Sequence, residues 1–256
     1  MEITEHIDAL RCQGDLLADA ATRAGLDASV PTCPSWQVKD LLRHTGYIHR
    51  WAARHITECP DAVLDGPPEA DILRGGAADP DLLVWFRAGH ASLVETLSTA
   101  DPGLVCATFM DAPSALAFWA RRQAHEAAIH RADAESASGV RPKYEPAFAA
   151  DGIDERIMGF GQRRKYRPSA DRDGSMQIRT TDTGHAWHVG TEDGRIHARR
   201  QQHDGPASVA CTITGPASGV YLFLWNRSDA ATAGVTISGA AGFLELWQAS
   251  VRVRWG

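Results

Sequence analysis

The stretch RRQAHEAAIHRAD, residues 121–133, packs two histidines, two acids and three arginines into thirteen positions. His125-Glu126 looks like the start of the zinc-protease pattern HExxH, but three residues rather than two separate Glu126 from His130. That difference decides the chemistry. Each residue of an α-helix advances by about 100°, so His125 and His130 point roughly 140° apart and do not share an ion. Glu126 and His130 are four apart, about 40° around the axis and one turn along, and both can reach one metal. Arg122, four before Glu126, is placed to support its carboxylate. Asp133, three after His130, is placed to accept the other ring N–H of that histidine, as outer-sphere carboxylates do for metal-ligating imidazoles.

Two donors do not hold an ion, and a helix bundle can supply a third from a facing helix. Three histidines stand in WQVKDLLRHTGYIHRWAARHI: His44, His49 and His55. His44 falls within the apolar pattern of Leu41, Leu42, Ile48 and Trp51, a core-facing place for a polar ring. His49 is five residues further and points elsewhere; with His55 it reads as surface- or loop-facing. His90, in the apolar stripe of a later helix, is a rival third ligand. The resulting reading is a His–Glu–His site of His44, Glu126 and His130 with positions left open for water or substrate. Such donors suit zinc, and also nickel, iron or manganese. The competing readings without metal are an Arg122–Glu126–His130 ion-paired helix surface and an ion-paired bundle core.

The elements that would carry these residues are helical through the first half. Ile7, Leu10, Leu17, Ala21 and Ala24 repeat at helical spacing over residues 4–25. A turn-rich loop follows, with Ser35 as the expected N-cap of a second helix. Residues 59–80, with four prolines, read as a long loop. A third helix is expected from Asp79 or Pro80, and a fourth from about Ser114 to Ala137. Four helices of about 20 residues make a bundle, domain 1–140. After the connector SGVRPKYEP the pattern changes. One further helix is expected at 147–163. The stretches SMQIRTT, HAWHVG, RIHARR, ASVACTITG and GVTISG then alternate or are β-branched, as strands are. PASGVYLFLWNRS has a helical period, and GFLELWQAS closes the chain as a helix or a helix–strand transition. Domain 147–256 is therefore a small α+β domain with a mainly antiparallel sheet, and the fold class is α+β.

Composition narrows the function. The chain has 256 residues, 44% hydrophobic and 23% charged, with a net charge of −6. An acidic balance argues against a nucleic-acid partner. No apolar run approaches the roughly 18 residues of a membrane span, and the N-terminus lacks a signal-peptide pattern, so the expected location is cytoplasmic. Five scattered cysteines without a CxxC pair make neither a disulfide framework nor a zinc ribbon, and read as reduced thiols, mostly buried, with Cys33 partly exposed.

Taken together, CPSWQVKDLLRHTGYIHRWA, then RRQAHEAAIHRADA some eighty residues later, then GPASGVYLFLWNR, resemble the mycothiol-dependent maleylpyruvate isomerase family of actinobacteria. The resemblance covers nearly the whole chain in the right order. It implies a DinB-like four-helix bundle followed by the small α+β domain. It also implies a divalent metal, usually zinc, on His44, Glu126 and His130, the same three residues that helix geometry favours. It further implies mycothiol as a low-molecular-weight thiol cosubstrate and a basic residue from the second domain at the site, for which Arg227 is the match. Arg122 and Arg121 are further cations for a substrate carboxylate.

The function expected is therefore a metal- and mycothiol-dependent isomerase or thiol transferase acting on a small electrophilic, unsaturated acid, as a monomer or homodimer. The alternative is a non-catalytic metal-binding member acting as a binding or stress-response module. Remaining features read more plainly. The eight tryptophans are core packing, although Trp119, seven before Glu126, could wall the pocket. The basic cluster GQRRKYRP is a solvated helix end or an anion contact. GPAS opens a helix whose N–H groups are either capped or able to take an anion. His185, His188 and His197 are not spaced to share one strand face.

Overall fold

The structure is a computed structural model and describes residues 1–162, 174–192, 195–201 and 209–251. The chain divides into two compact units, the first Met1–Pro142 and the second beginning at Lys143.

The first unit is built from four long helices: α1 (Ile3–Ala24), α2 (Val38–Glu58), α4 (Leu82–Thr99) and α5 (Ala115–Ala137). A short α3 (Glu69–Arg74) and a 3₁₀ turn at Asp79–Asp81 interrupt the stretch expected to be loop. Helix α2 starts after Gln37, not at Ser35. Gln37 and Asp40 form a reciprocal capping box, in which the Gln37 amide donates to Asp40 Oδ2 at 2.9 Å. That pair satisfies two orphan N–H groups where a lone serine would satisfy one. Ser114 caps α5, close to the expected start of that helix, its Oγ accepting from the Ala117 amide.

Helix α5 packs on α1, α2 and α4. Its charged sequence suggests an exposed helix, yet most of its residues are buried, including Arg122, Gln123, His125, Glu126, His130, Asp133 and Glu135. The ion-paired surface reading therefore fails on burial: Arg122 is 2% exposed and Glu126 6%. Close helix approaches elsewhere depend on missing side chains. The His90 ring lies against α1 at Gly14, where an added Cβ would stand 2.2 Å from the ring. Trp85 of α4 fills the same kind of notch at Gly46 of α2. Arg50 then covers Trp85, its guanidinium 3.8 Å above the ring centroid and its Nη2 donating to the Trp85 carbonyl.

The second unit holds α6 (Pro146–Asp154), running into a π-helical turn at Glu155–Phe160, then β1 (Ser175–Thr180), β2 (Ala186–Glu192), β3 (Arg195–Gln201), β4 (Cys211–Gly215), α7 (Ala217–Leu224), α8 (Ala230–Ala233), β5 (Thr236–Gly239) and α9 (Gly242–Ser250). The five strands order as β3-β2-β1-β4-β5. Only β1–β4 is parallel; the other three pairs are antiparallel. The fold is α+β, as expected. The sheet's two faces separate by the period of two. Met176, Ile178, Trp187, Val189, Ile196 and Ile213 form the buried side. Arg156 is buried here between Trp225 and Trp247, its guanidinium 4.9 and 5.0 Å from their rings, and its Nε donates to the Leu224 carbonyl.

The register refines the reading of the strand histidines. His188 pairs with Arg199 and His197 with Gly190, so both histidines share the polar face of β2–β3, while His185 precedes β2. With Glu192 and Arg199 they line a cavity of about 320 Å³. The N-terminus of α7 is capped from within, since Asp182 Oδ1 accepts from the Ala217 amide at 2.9 Å. Residues 163–168 of GQRRKYRP lie outside the described residues. No helix among the described residues is long and apolar enough to cross a membrane.

Candidate functional site

The site begins with the i, i+4 pair on α5. His130 Nε2 and Glu126 Oε1 are 3.1 Å apart, and His44 Nε2 from α2 lies 3.8 Å from the same oxygen. The three ligand atoms all fall within 4.8 Å of one another. Donors about 2.0–2.1 Å from a tetrahedral ion stand roughly 3.4 Å apart, so small side-chain adjustments close this set around one cation. Two imidazoles and one carboxylate would give an ion three protein ligands, the number that leaves a position open for chemistry.

The surrounding shell fixes two of the three donors by hydrogen bonds. Arg122 Nη2 donates to Glu126 Oε2 at 2.9 Å, which leaves Oε1 toward the imidazoles. Asp133 Oδ2 lies 2.9 Å from His130 Nδ1. A proton on Nδ1 donates to that carboxylate and frees the Nε2 lone pair for a metal. Asp133 is fully buried and is held in turn by Thr32, whose Oγ1 donates to Oδ1 at 2.5 Å. Thr32 lies 101 residues away in sequence, in the loop between α1 and α2. The same loop brings Trp36 against both imidazoles, with ring centroids 5.0 Å from His44 and 6.3 Å from His130.

Electrostatics follow from burial and these contacts. Burial alone would raise the Glu126 carboxyl, but the contacts from His130 and His44 and the Arg122 charge hold it well below the usual carboxylate range. Burial lowers His44, with Glu126 opposing. Burial would lower His130 too, yet Asp133 and Glu126 outweigh it and hold this imidazole above its ordinary value. The site therefore keeps an ionised carboxylate in a dry place, which is expensive unless cations or a metal answer it.

Of the other histidines, His49 departs from the sequence reading: α4 covers it and it is fully buried. His55 faces the 59–68 loop, one of its expected placements, and is fully buried beneath it. His55 Nε2 accepts from the Leu64 amide at 3.0 Å, so its Nδ1–H donates to the Trp51 carbonyl at 2.8 Å. His90 does not complete the triad. Its ring lies 5.2 Å from that of His49, and its Nε2 donates to the Arg11 carbonyl at 3.3 Å. His125 points off the triad's face as the spacing requires, and its ring packs 6.2 Å from that of His6. Trp119 packs among Trp51, His55, Phe109 and Phe118, a core role. Cys33 is buried; Cys12 and Cys59 are exposed. Arg227 belongs to the second unit, just past α7, and its Nη1 donates to the Trp225 carbonyl at 2.9 Å. Arg121 is partly exposed at the N-terminal end of α5.

Sequence reasoning missed Thr32 and the placement of Trp36 over the imidazoles. Neither has a local signal, since both act from a loop across the bundle.

Residues 7–135 match the mycothiol maleylpyruvate isomerase N-terminal domain, and residues 147–246 match the C-terminal domain of the same family. The chain belongs to the mycothiol maleylpyruvate isomerase family. Two solved structures share its fold: the mycothiol-dependent maleylpyruvate isomerase, with a TM-score of 0.61, and a histidine-to-alanine mutant of it, with a TM-score of 0.63. Each is 12% identical in sequence, with 93% of this chain and 93% of that chain covered. Comparison with curated proteins returned no match by sequence.

Proposed function

We propose that this chain is a metal- and mycothiol-dependent enzyme, an isomerase or thiol transferase acting on a small electrophilic, unsaturated acid. The observation that carries the reading is the buried His44–Glu126–His130 set, in which Arg122 holds Glu126 and Asp133 holds His130. Family membership supplies the thiol. A divalent cation on these donors, zinc by their chemistry, would keep a thiol ionised near neutral pH.

The protein's own residues do the rest. Arg122 fixes the Glu126 carboxylate in one orientation, a positioning role. Asp133 fixes the His130 tautomer. Burial keeps water away from the thiolate and strengthens every charge interaction around it. A thiolate adding to an activated cis double bond permits rotation, and its departure returns the thiol with the trans product. Displacement of a leaving group by the same thiolate gives transfer instead. Arg227 is the proposed contact for the substrate carboxylate, as the family resemblance implies.

Two measurements test this. Metal analysis of the purified protein and of His130→Ala is expected to find about one zinc per chain, lost in the variant; equal metal in both, or none in either, overturns the site. The zinc-loaded protein is then mixed with mycothiol and a panel of unsaturated diacids and halogenated electrophiles. Thiol-dependent turnover is expected. Metal without turnover across the panel selects the non-catalytic binding module instead.

A further inference from the structure

Trp36 is held firmly and oddly. Its amide donates to the Cys33 carbonyl at 2.8 Å, and its carbonyl accepts from the Val30 amide at 3.0 Å, so the loop sets the indole in place. The side chain is 2% exposed, and its Nε1 has no hydrogen-bond partner among the described residues. A buried indole N–H normally finds an acceptor, because leaving it unmade forfeits the bond it had with water. Trp119 and Trp247 share that trait, but Trp119 packs among Trp51, His55 and Phe118, and the Trp247 ring faces the Arg156 guanidinium. Among the described tryptophans, only Trp36 lies against two imidazoles of the candidate triad.

We infer that Trp36 donates its indole N–H to the thiolate sulfur that occupies the site. The inference rests on the proposed function and deepens it by naming the group that meets the thiol. Arg122 is engaged by Glu126, and each triad residue gives one atom to the cation, so the indole N–H beside the two imidazoles is a neutral donor for a second anion. A hydrogen bond to the charged form favours that form, so Trp36 also helps keep the thiol ionised. A neutral donor suits this role, since it adds no charge that would repel the cation.

The test is calorimetric titration of the zinc-loaded protein with mycothiol across a range of pH, which reads binding without turnover. Trp36→Phe removes the N–H and keeps an aromatic ring. A second variant with 3-benzothienylalanine at the same position keeps the bicyclic shape and replaces N–H with sulfur. Both are expected to bind mycothiol about tenfold more weakly, and the pH midpoint of binding should move upward by about one unit. Zinc affinity, measured by chelator competition, should stay within about twofold of wild type. Unchanged mycothiol affinity in both variants overturns the inference and leaves the proposed function intact. Weak binding in Trp36→Phe with normal binding in the isostere assigns the effect to packing and also overturns it. Loss of zinc from the isostere overturns it by placing the effect on the ligand set. No mycothiol binding by the wild type sinks the proposed function and this inference together.

Discussion

Asp133→Asn is the most informative single substitution, because it changes charge with almost no change of shape. Asp133 is fully buried, receives the Thr32 hydroxyl at 2.5 Å and lies 2.9 Å from His130 Nδ1. An asparagine can still place its oxygen on the His130 N–H and turn its amide toward Thr32. What it loses is the charge. A hydrogen bond to an ionised group contributes about 1.5–3 kcal/mol and a neutral one about 0.5–1.5, so the difference is about 1–1.5 kcal/mol. That is about a tenfold weaker metal affinity, at the lower end of the 10–100-fold range for losing an outer-sphere partner of a ligating histidine. If the amide instead turns its NH₂ toward Nδ1, His130 adopts the other tautomer and its Nε2 lone pair is lost, so the fall is larger. Zinc affinity by competition with a chromophoric chelator reads this directly, with circular dichroism as the control for folding. Thr32→Val is expected to move in the same direction by less, since it removes only the bond that steers Asp133. A folded Asp133→Asn that binds zinc within twofold of wild type refutes the assignment of Asp133 as the group that orients His130.

Three further predictions concern packing and buried charge. Gly14→Ala puts a methyl where the His90 ring now sits, and overpacking of this kind costs about 1–3 kcal/mol, visible as a lower thermal midpoint. His49 is fully buried, and burial first, then the charges of His90, His130 and Arg50, lower its proton affinity against the opposing pull of Glu126. Its folded pKa therefore lies below the unfolded one. Its stability contribution is complete above about pH 6.5 and is lost as pH falls, at up to about 1.4 kcal/mol per pH unit. His49→Leu should flatten the acid limb of a denaturation-versus-pH curve; an unchanged limb counts against a neutral buried His49. Arg122→Met leaves the Glu126 carboxylate buried without its cation, and should cost about 3–5 kcal/mol in the metal-free protein and less once zinc is bound. Equal losses with and without zinc would separate Glu126 from the metal.

What sequence alone determined here was local. Glu126 and His130 sit one turn apart on any helix, so their pairing needed no tertiary structure, and the offset of His125 followed from the same 100° step. His44 was legible because a polar residue stood inside an apolar period. Strand and helix identities in the second half followed from alternation and from helical period, and the π-helical turn after α6 had no such signal. Tertiary structure decided which faces are covered. Helix α5 is buried nearly all round, so its charges read as surface while they are interior. His49 was misplaced for the same reason: periodicity says which residues share a face, whereas burial depends on what the rest of the chain lays over it. Thr32 and Trp36 reach the triad from a loop about a hundred residues before His130, and His188 met His197 on one face only through strand register. Contacts of that range are set by how helices and strands pack, and no local pattern in the chain encodes them.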